Sequence, residues 1–133
     1  MIILQDERPI TFIGNTQAQD QDEQVHEFQR DGVITGALVG TEVGQEYALQ
    51  QYATLIRNGT ETNLWQHLDK SFLAGNGRDY DLPLRFEFTR GDELILRAEN
   101  ENTDHEYHHA IIIRVDYETS LFDRLGDAVR RVA

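Results

Sequence analysis

The sequence predicts an all-β domain built from antiparallel strands, and three observations lead to this prediction. Apolar residues occupy every second position through residues 84–88, 94–98 and 111–117 and so share one face of each predicted strand, which is the pattern of strands with one buried face. Turn-forming sequences a few residues long separate these segments, as they do between antiparallel neighbours. The chain has 133 residues and no cysteine, so a single hydrophobic core without disulfide bonds is expected.

The N-terminal 24 residues are predicted to lie outside this domain, as an arm followed by a loop. Residues 2–13 alternate weakly and favour an extended arm. Residues 14–24 are polar and low in complexity, which is typical of a mobile loop. The β pattern starts at Val25, turns at Asp31-Gly32 and continues through β-branched residues, so the predicted β domain covers residues 25–118.

The middle of the chain is harder to interpret. Residues 46–58 fit both a strand and a helix, and we favour a strand because Asn58-Gly59 is a turn dipeptide. Residues 63–74 predict a short inserted helix that ends at Gly75-Asn76-Gly77. Its apolar residues at helical spacing are Leu64, Trp65, Leu68 and Phe72.

The downstream strands supply the predicted core. Between two of them, Arg90-Gly91-Asp92 spells a cell-adhesion tripeptide, but its position predicts a hairpin turn with Gly91 at positive φ. The residues expected in the core are Leu84, Phe86, Phe88, Leu94, Leu96, Ile111, Ile113 and Val115.

The C-terminal segment 119–133 predicts an amphipathic helix. Ser120 and Asp123 have the spacing of a capping box, and an apolar stripe follows. Both this stripe and the N-terminal arm need an apolar surface to cover, so we expect them to contact other subunits. The interface candidates are Ile2, Ile3, Leu4, Ile10, Phe12, Leu121, Phe122, Leu125, Val129 and Val132.

The composition points to a salt-rich environment. Twenty-four acidic residues against 12 basic ones give a formal net charge of −12, and Lys70 is the single lysine. Dense carboxylates with arginine in place of lysine are typical of halophilic proteins, in which salt screens the repulsion. The same charge disfavours nucleic acid and anionic membranes as partners. Neither a signal-type segment nor a transmembrane run is apparent, so assembly in the cytoplasm is expected.

The histidines form the one candidate metal cluster, at residues 105–109. On a strand, His108 and His109 point to opposite faces, and the H-x-H pair of cupin-type metal enzymes is missing. We therefore predict no metal, no other cofactor and no catalytic residue. Motifs for a nucleophile or a nucleotide are also missing, which predicts that the protein is not an enzyme.

The segment PLRFEFTRGDELILRAENENTDHEYHHAIIIRVDY, residues 83–117, resembles the C-terminal half of small jelly-roll domains in virion proteins. The first strand of those domains is similar to residues 31–36. The positions that carry the resemblance are Pro83, Phe86, Gly91, Asp92, Leu94, Leu96, Ala98, Asn100 and Ile111, Ile112 and Ile113.

This resemblance implies an antiparallel jelly-roll β-sandwich. Together with the composition, it implies a capsid-associated structural protein of a haloarchaeal virus, in a decoration, turret or penton position. The expected partners are copies of the same chain, most simply as a trimer, and other virion proteins. The alternative is a ligand-binding, carbohydrate-binding-like sandwich, with the aromatic residues Trp65, Tyr80 and Tyr107 available for the ligand.

Overall fold

The computed structural model describes residues 4–7 and 9–119, with side chains described from residue 9 to 118. Within them lie nine strands and one turn of 3₁₀ helix, Gln66–Leu68. The strands are β1 Leu4–Glu7, β2 Ile10–Thr16, β3 Gln21–Glu27, β4 Gly32–Gly40, β5 Leu49–Arg57, β6 Thr60–Asn63, β7 Tyr80–Phe88, β8 Glu93–Asn100 and β9 Tyr107–Thr119. Among the described residues no helix is long and apolar enough to cross a membrane.

The strands form two antiparallel sheets packed as a sandwich. Sheet A has the order β1/β2, β9, β4, β7, because β1 and β2 pair with successive stretches of the same edge of β9. Sheet B has the order β3, β8, β5, β6. With the exception of the β5–β6 hairpin, each connection from β2 onward crosses between the sheets. This is the strand order of a jelly roll, which confirms the predicted fold class.

The core contains the alternate strand residues that the sequence predicts to face inward. Leu94, Leu96 and Ala98 of β8 are fully buried, and so are Ile111 and Ile113 of β9. Of the β7 residues expected in the core, Phe88 is buried. Leu84 and Phe86 are half-buried and pack against the buried core cluster. The difference arises because β7 is an edge strand, so one side of its inward face is uncovered.

Two tight turns join successive strands. Asn58 and Gly59 both have positive φ, 51° and 78°, which is the conformation of the tight β5–β6 hairpin. Gly91 has a φ of 93°, and the Asp92 carboxylate beside it is buried and bonded to the Thr89 backbone. The positive φ predicted for Gly91 is confirmed, but the predicted hairpin is wrong, because this tight turn joins β7 of sheet A to β8 of sheet B. Pro83 lies within the edge strand β7, opposite Gly36 and next to a register shift in the β4–β7 pair, and such positions are where a strand accommodates proline.

The N-terminal boundary predicted from the sequence is wrong. Residues 14–24 are not a loop: they contain the end of β2, a short turn and the first half of β3. Polar edge strands such as β3 are held by backbone pairing with β8, so their lack of apolar residues does not prevent strand formation. The sandwich includes residues 10–24, and its sheet A is incomplete without them.

Two interface candidates are also wrong. Ile10 and Phe12 are 6% and 5% exposed within their own domain, where β2 pairs with β9. They are core residues because every second residue of β2 points between the sheets. The side chains of Ile2, Ile3 and Leu4, and the candidates Leu121, Phe122, Leu125, Val129 and Val132, lie outside the described side chains, as does the predicted C-terminal helix.

The predicted inserted helix is reduced to a single 3₁₀ turn. Leu64 and Trp65 lie in the turn before it, and their side chains are fully buried. The Trp65 indole N–H donates to the backbone oxygen of Gln51 at 3.1 Å. Asn63 holds both sides of this segment, since its side chain accepts from Trp65 N–H and donates to the Lys70 carbonyl. The apolar residues in this segment are spaced as on a helix because Leu64 and Trp65 anchor the segment to the core, and not because they form one face of a helix.

Candidate functional site

The histidine cluster lies at the end of the sandwich where the β2–β3, β4–β5, β6–β7 and β8–β9 loops meet, which we call the loop end. His105 and His108 are exposed, whereas His109 is 4% exposed. This agrees with the opposite faces predicted for His108 and His109. Among residues 9–118, no three histidine, aspartate or glutamate side chains are grouped so that they hold a metal ion.

His109 is a buried part of the β2–β9 contact. Its Nδ1 lies 2.8 Å from the Thr16 hydroxyl, and its ring stacks on Phe12 with centroids 4.1 Å apart. Burial lowers the pKa of His109 below its usual value of 6.5; the nearby Asp22 carboxylate acts in the opposite direction, and His108 adds to the lowering. The neutral ring is therefore the stable form in the folded protein at neutral pH.

The loop end is cross-braced by hydrogen bonds. The Tyr107 hydroxyl donates to the Gly44 carbonyl at 2.8 Å, and the Gly44 N–H donates to the Asn76 side chain at 2.6 Å. The Glu42 carboxylate accepts from the His108 N–H at 3.0 Å. Gln45 is fully buried beneath this loop and donates to the His108 carbonyl. The β4–β5 loop is therefore fixed to β9 and to the β6–β7 loop.

This loop displays two apolar side chains to solvent. Val43 is 84% exposed and Tyr47 is 65% exposed. Tyr47 and its neighbour Glu46 have positive φ angles of 67° and 48°, which are uncommon for residues with side chains. Such conformations persist only where the surrounding structure enforces them, and here the Tyr47 N–H donates to the Gly75 carbonyl.

A groove crosses the outer face of sheet B, and all four of its strands contribute. The lining residues are Glu23 of β3, Ile95 and Arg97 of β8, Tyr52 and Thr54 of β5, and Glu61 of β6. The volume of the groove is about 210 Å³. These residues come together because alternate residues of paired strands face the same way, as in the register that places Glu23 and Tyr52 on either side of Arg97.

The centre of the groove is an ordered stack. The Arg97 guanidinium lies 4.2 Å from the centroid of the Tyr52 ring, and the ring of Phe72, from the segment between β6 and β7, has its centroid 5.7 Å from that of Tyr52. The Arg97 Nε lies 3.3 Å from a Glu99 carboxylate oxygen. Burial raises the pKa of Tyr52, and the Glu99 charge raises it further, so its hydroxyl stays protonated and donates to Gln50 at 2.9 Å.

The outer face of sheet A carries an apolar patch. Ile13 is 64% exposed and Leu38 is 38% exposed, and the half-buried Ile112 lies directly opposite Leu38 in the strand register. Ala110, opposite Ile13, completes the patch. These four side chains are uncharged, and Asp81, opposite Leu38 on β7, is paired with Arg114 at 2.8 Å, whereas the chain as a whole is strongly acidic.

The three aromatic residues expected to bind a ligand are instead buried or hydrogen-bonded within the protein. Trp65 is fully buried, the Tyr107 hydroxyl is bonded to Gly44, and the Tyr80 hydroxyl donates to the Ala74 carbonyl at 2.9 Å. Sequence reasoning missed the groove around Tyr52 instead. The sequence signal was the set of outward-facing residues on β5 and β8. These residues could be recognised as one groove only once the pairing of the two strands was known.

The similarity of this chain to known proteins is weak. No family of known proteins and no curated protein matches this chain. Among solved structures, a mitogen derived from Yersinia pseudotuberculosis is similar at 16% sequence identity and a TM-score of 0.44, over 80% of this chain and 84% of that chain. Likeness at this level supports no argument about function, so the function must be argued from the residues.

Proposed function

We propose that this chain is a structural, non-catalytic protein of a virion, associated with the capsid of a haloarchaeal virus. The observation that carries the proposal is the strand order, because the jelly roll is a fold of viral capsid proteins as well as of lectins and cupins. The resemblance of residues 83–117 to virion jelly rolls and the acidic, lysine-poor composition favour the first of these.

The partners of this role are copies of the same chain and other virion proteins. The apolar patch of Ile13, Leu38, Ala110 and Ile112 is the described surface that fits a second copy. A chain of net charge −12 repels its own copies over most of its surface, and it does so least where carboxylates are missing. Molar salt screens the remaining repulsion, so the patch favours a homo-oligomer, for which we propose a trimer.

The two ends of the sandwich suit different contacts. Leu4 pairs with Thr119, so both described ends of the chain leave the domain side by side, opposite the loop end. We propose that the terminal segments, with the interface candidates outside the described side chains, dock on the shell. The braced loop end, with Val43 and Tyr47, faces away from it. Nucleic acid and membrane lipids are not among the proposed partners, because phosphate groups repel this charge.

The proposal is tested by the mass of the protein in solution at molar salt, measured by sedimentation velocity. We expect a trimer that dissociates about tenfold more easily when Ile13→Ser or Leu38→Ser removes an apolar contact. Val25→Ser is the matched control, because Val25 is 50% exposed on the outer face of sheet B. A monomer at molar salt, or an equal effect of Val25→Ser, would overturn the proposed assembly.

A further inference from the structure

The groove across sheet B has no part in the structural role proposed above, and its chemistry identifies a ligand class. We propose that this groove binds a neutral sugar ring, presented as part of a glycan. This goes beyond the proposed virion role and uses the opposite sheet, so the two proposals are tested separately.

The groove combines hydrogen-bonding groups of both kinds with an apolar floor. The exposed carboxylates of Glu23 and Glu61 are acceptors, the Arg97 guanidinium is a donor, and the Thr54 hydroxyl is both. Ile95 supplies apolar surface between them, next to the Tyr52 ring, over which the Arg97 guanidinium lies. A sugar ring needs this combination, because its hydroxyl groups each donate and accept while its C–H face is apolar.

Charge excludes the main competing ligands. Arg97 is already paired with Glu99, so the two remaining carboxylates leave the groove negative. An anionic ligand is therefore repelled. A cationic ligand is attracted only weakly at the high salt that the composition predicts, because salt screens exposed charges. Hydrogen bonds to a neutral polyol are not screened in this way, so a neutral ligand keeps its affinity.

The volume of the groove and the fixed positions of its side chains fit a single sugar ring. A groove of about 210 Å³ is below the ~300 Å³ at which drug-sized pockets begin. The donor is held in place before binding, since Arg97 is stacked on Tyr52 and the Tyr52 hydroxyl is bonded to Gln50. Pre-ordered side chains lose little entropy on binding, which is what a small ligand with few contacts requires.

The test is saturation-transfer NMR on the full chain at molar salt, with the methyl glycosides of glucose, galactose, mannose and N-acetylglucosamine as probes. We expect transfer to at least one glycoside, with a Kd of about 1 mM measured from shift changes. Glu23→Gln and Glu61→Gln should each weaken it by about tenfold or more, because each removes a charge-assisted hydrogen bond.

Glu87→Gln is the control, since it makes the same change at an exposed position on sheet A, and its Kd should stay within about twofold. Circular dichroism establishes that each variant is folded. The proposal is overturned if no glycoside shows transfer to the folded protein, or if Glu87→Gln weakens binding as much as Glu61→Gln. Binding of N-acetylarginine amide in preference to every glycoside, with an affinity that falls steeply with salt, would also overturn it.

Discussion

The stacked pair of Phe28 and Phe88 offers the sharpest test of the core. Phe28 is fully buried, and the two rings lie 3.7 Å apart at 20°. Replacing a fully buried phenylalanine by alanine costs ~3–5 kcal/mol, and the lost ring contact places Phe28→Ala in the upper half of that range. Phe86→Ala makes the same chemical change at a half-buried site and should cost about half as much, since the penalty follows the buried apolar area.

The assay is urea unfolding at molar salt, followed by fluorescence. Trp65 is the one tryptophan of the chain and is fully buried, so its emission reports the loss of the core directly. Because the stability of a domain is typically ~5–15 kcal/mol, Phe28→Ala can leave the chain unfolded, and Phe28→Leu, at about 1.5 kcal/mol, then serves as the milder variant. A Phe86→Ala penalty equal to or larger than that of Phe28→Ala would refute the assigned core.

Three further predictions concern charge. Because burial lowers the folded-state pKa of His109, the unfolded chain binds more protons, so unfolding free energy should hold above pH 6.5 and fall below it. His109→Asn should flatten that fall in urea titrations between pH 8 and 5, and an unchanged slope would contradict it. Asp92→Asn should cost ~2 kcal/mol, because the buried carboxylate accepts from Arg57 and Thr89, whereas Asp81→Asn, at an exposed ion pair, should cost less than ~1 kcal/mol in the same assay. The thermal midpoint should rise from low to molar salt as repulsion within the −12 chain is screened, and a constant midpoint would remove the halophile interpretation.

The strands of the second half were predictable because their signals are local. Leu94, Leu96 and Ala98 recur at every second position of one strand, and Gly91 and Asn58 occupy turns that restrict the backbone to few conformations. β5 was also correctly favoured over a helix, because a turn dipeptide ends it.

The N-terminal strands and the groove were not predictable, because pairing partners distant in sequence decide them. β2 and β3 are held by pairing with β9 and β8, which lie more than 60 residues further along the chain. Glu23 and Arg97 become neighbours only through that pairing. The spacing of apolar residues around Trp65 suggested a helix. Over a segment this short, residues that anchor a loop to the core and residues on one face of a helix give the same sequence pattern.

The position of β9 has a consequence for how this chain reaches its folded state. It is the last strand of the described sequence, yet it is the middle of sheet A, between β2 and β4. Until β9 has been synthesised, the facing edges of β2 and β4 have no partner, and apolar residues such as Val39 and Phe12 lack the strand that aligns them. Sheets closed by such distant pairing fold slowly, and a nascent or truncated chain exposes two aggregation-prone edges. A ribosome-bound chain that stops before residue 107 should therefore depend on chaperones, whereas one extended well beyond residue 119 should not.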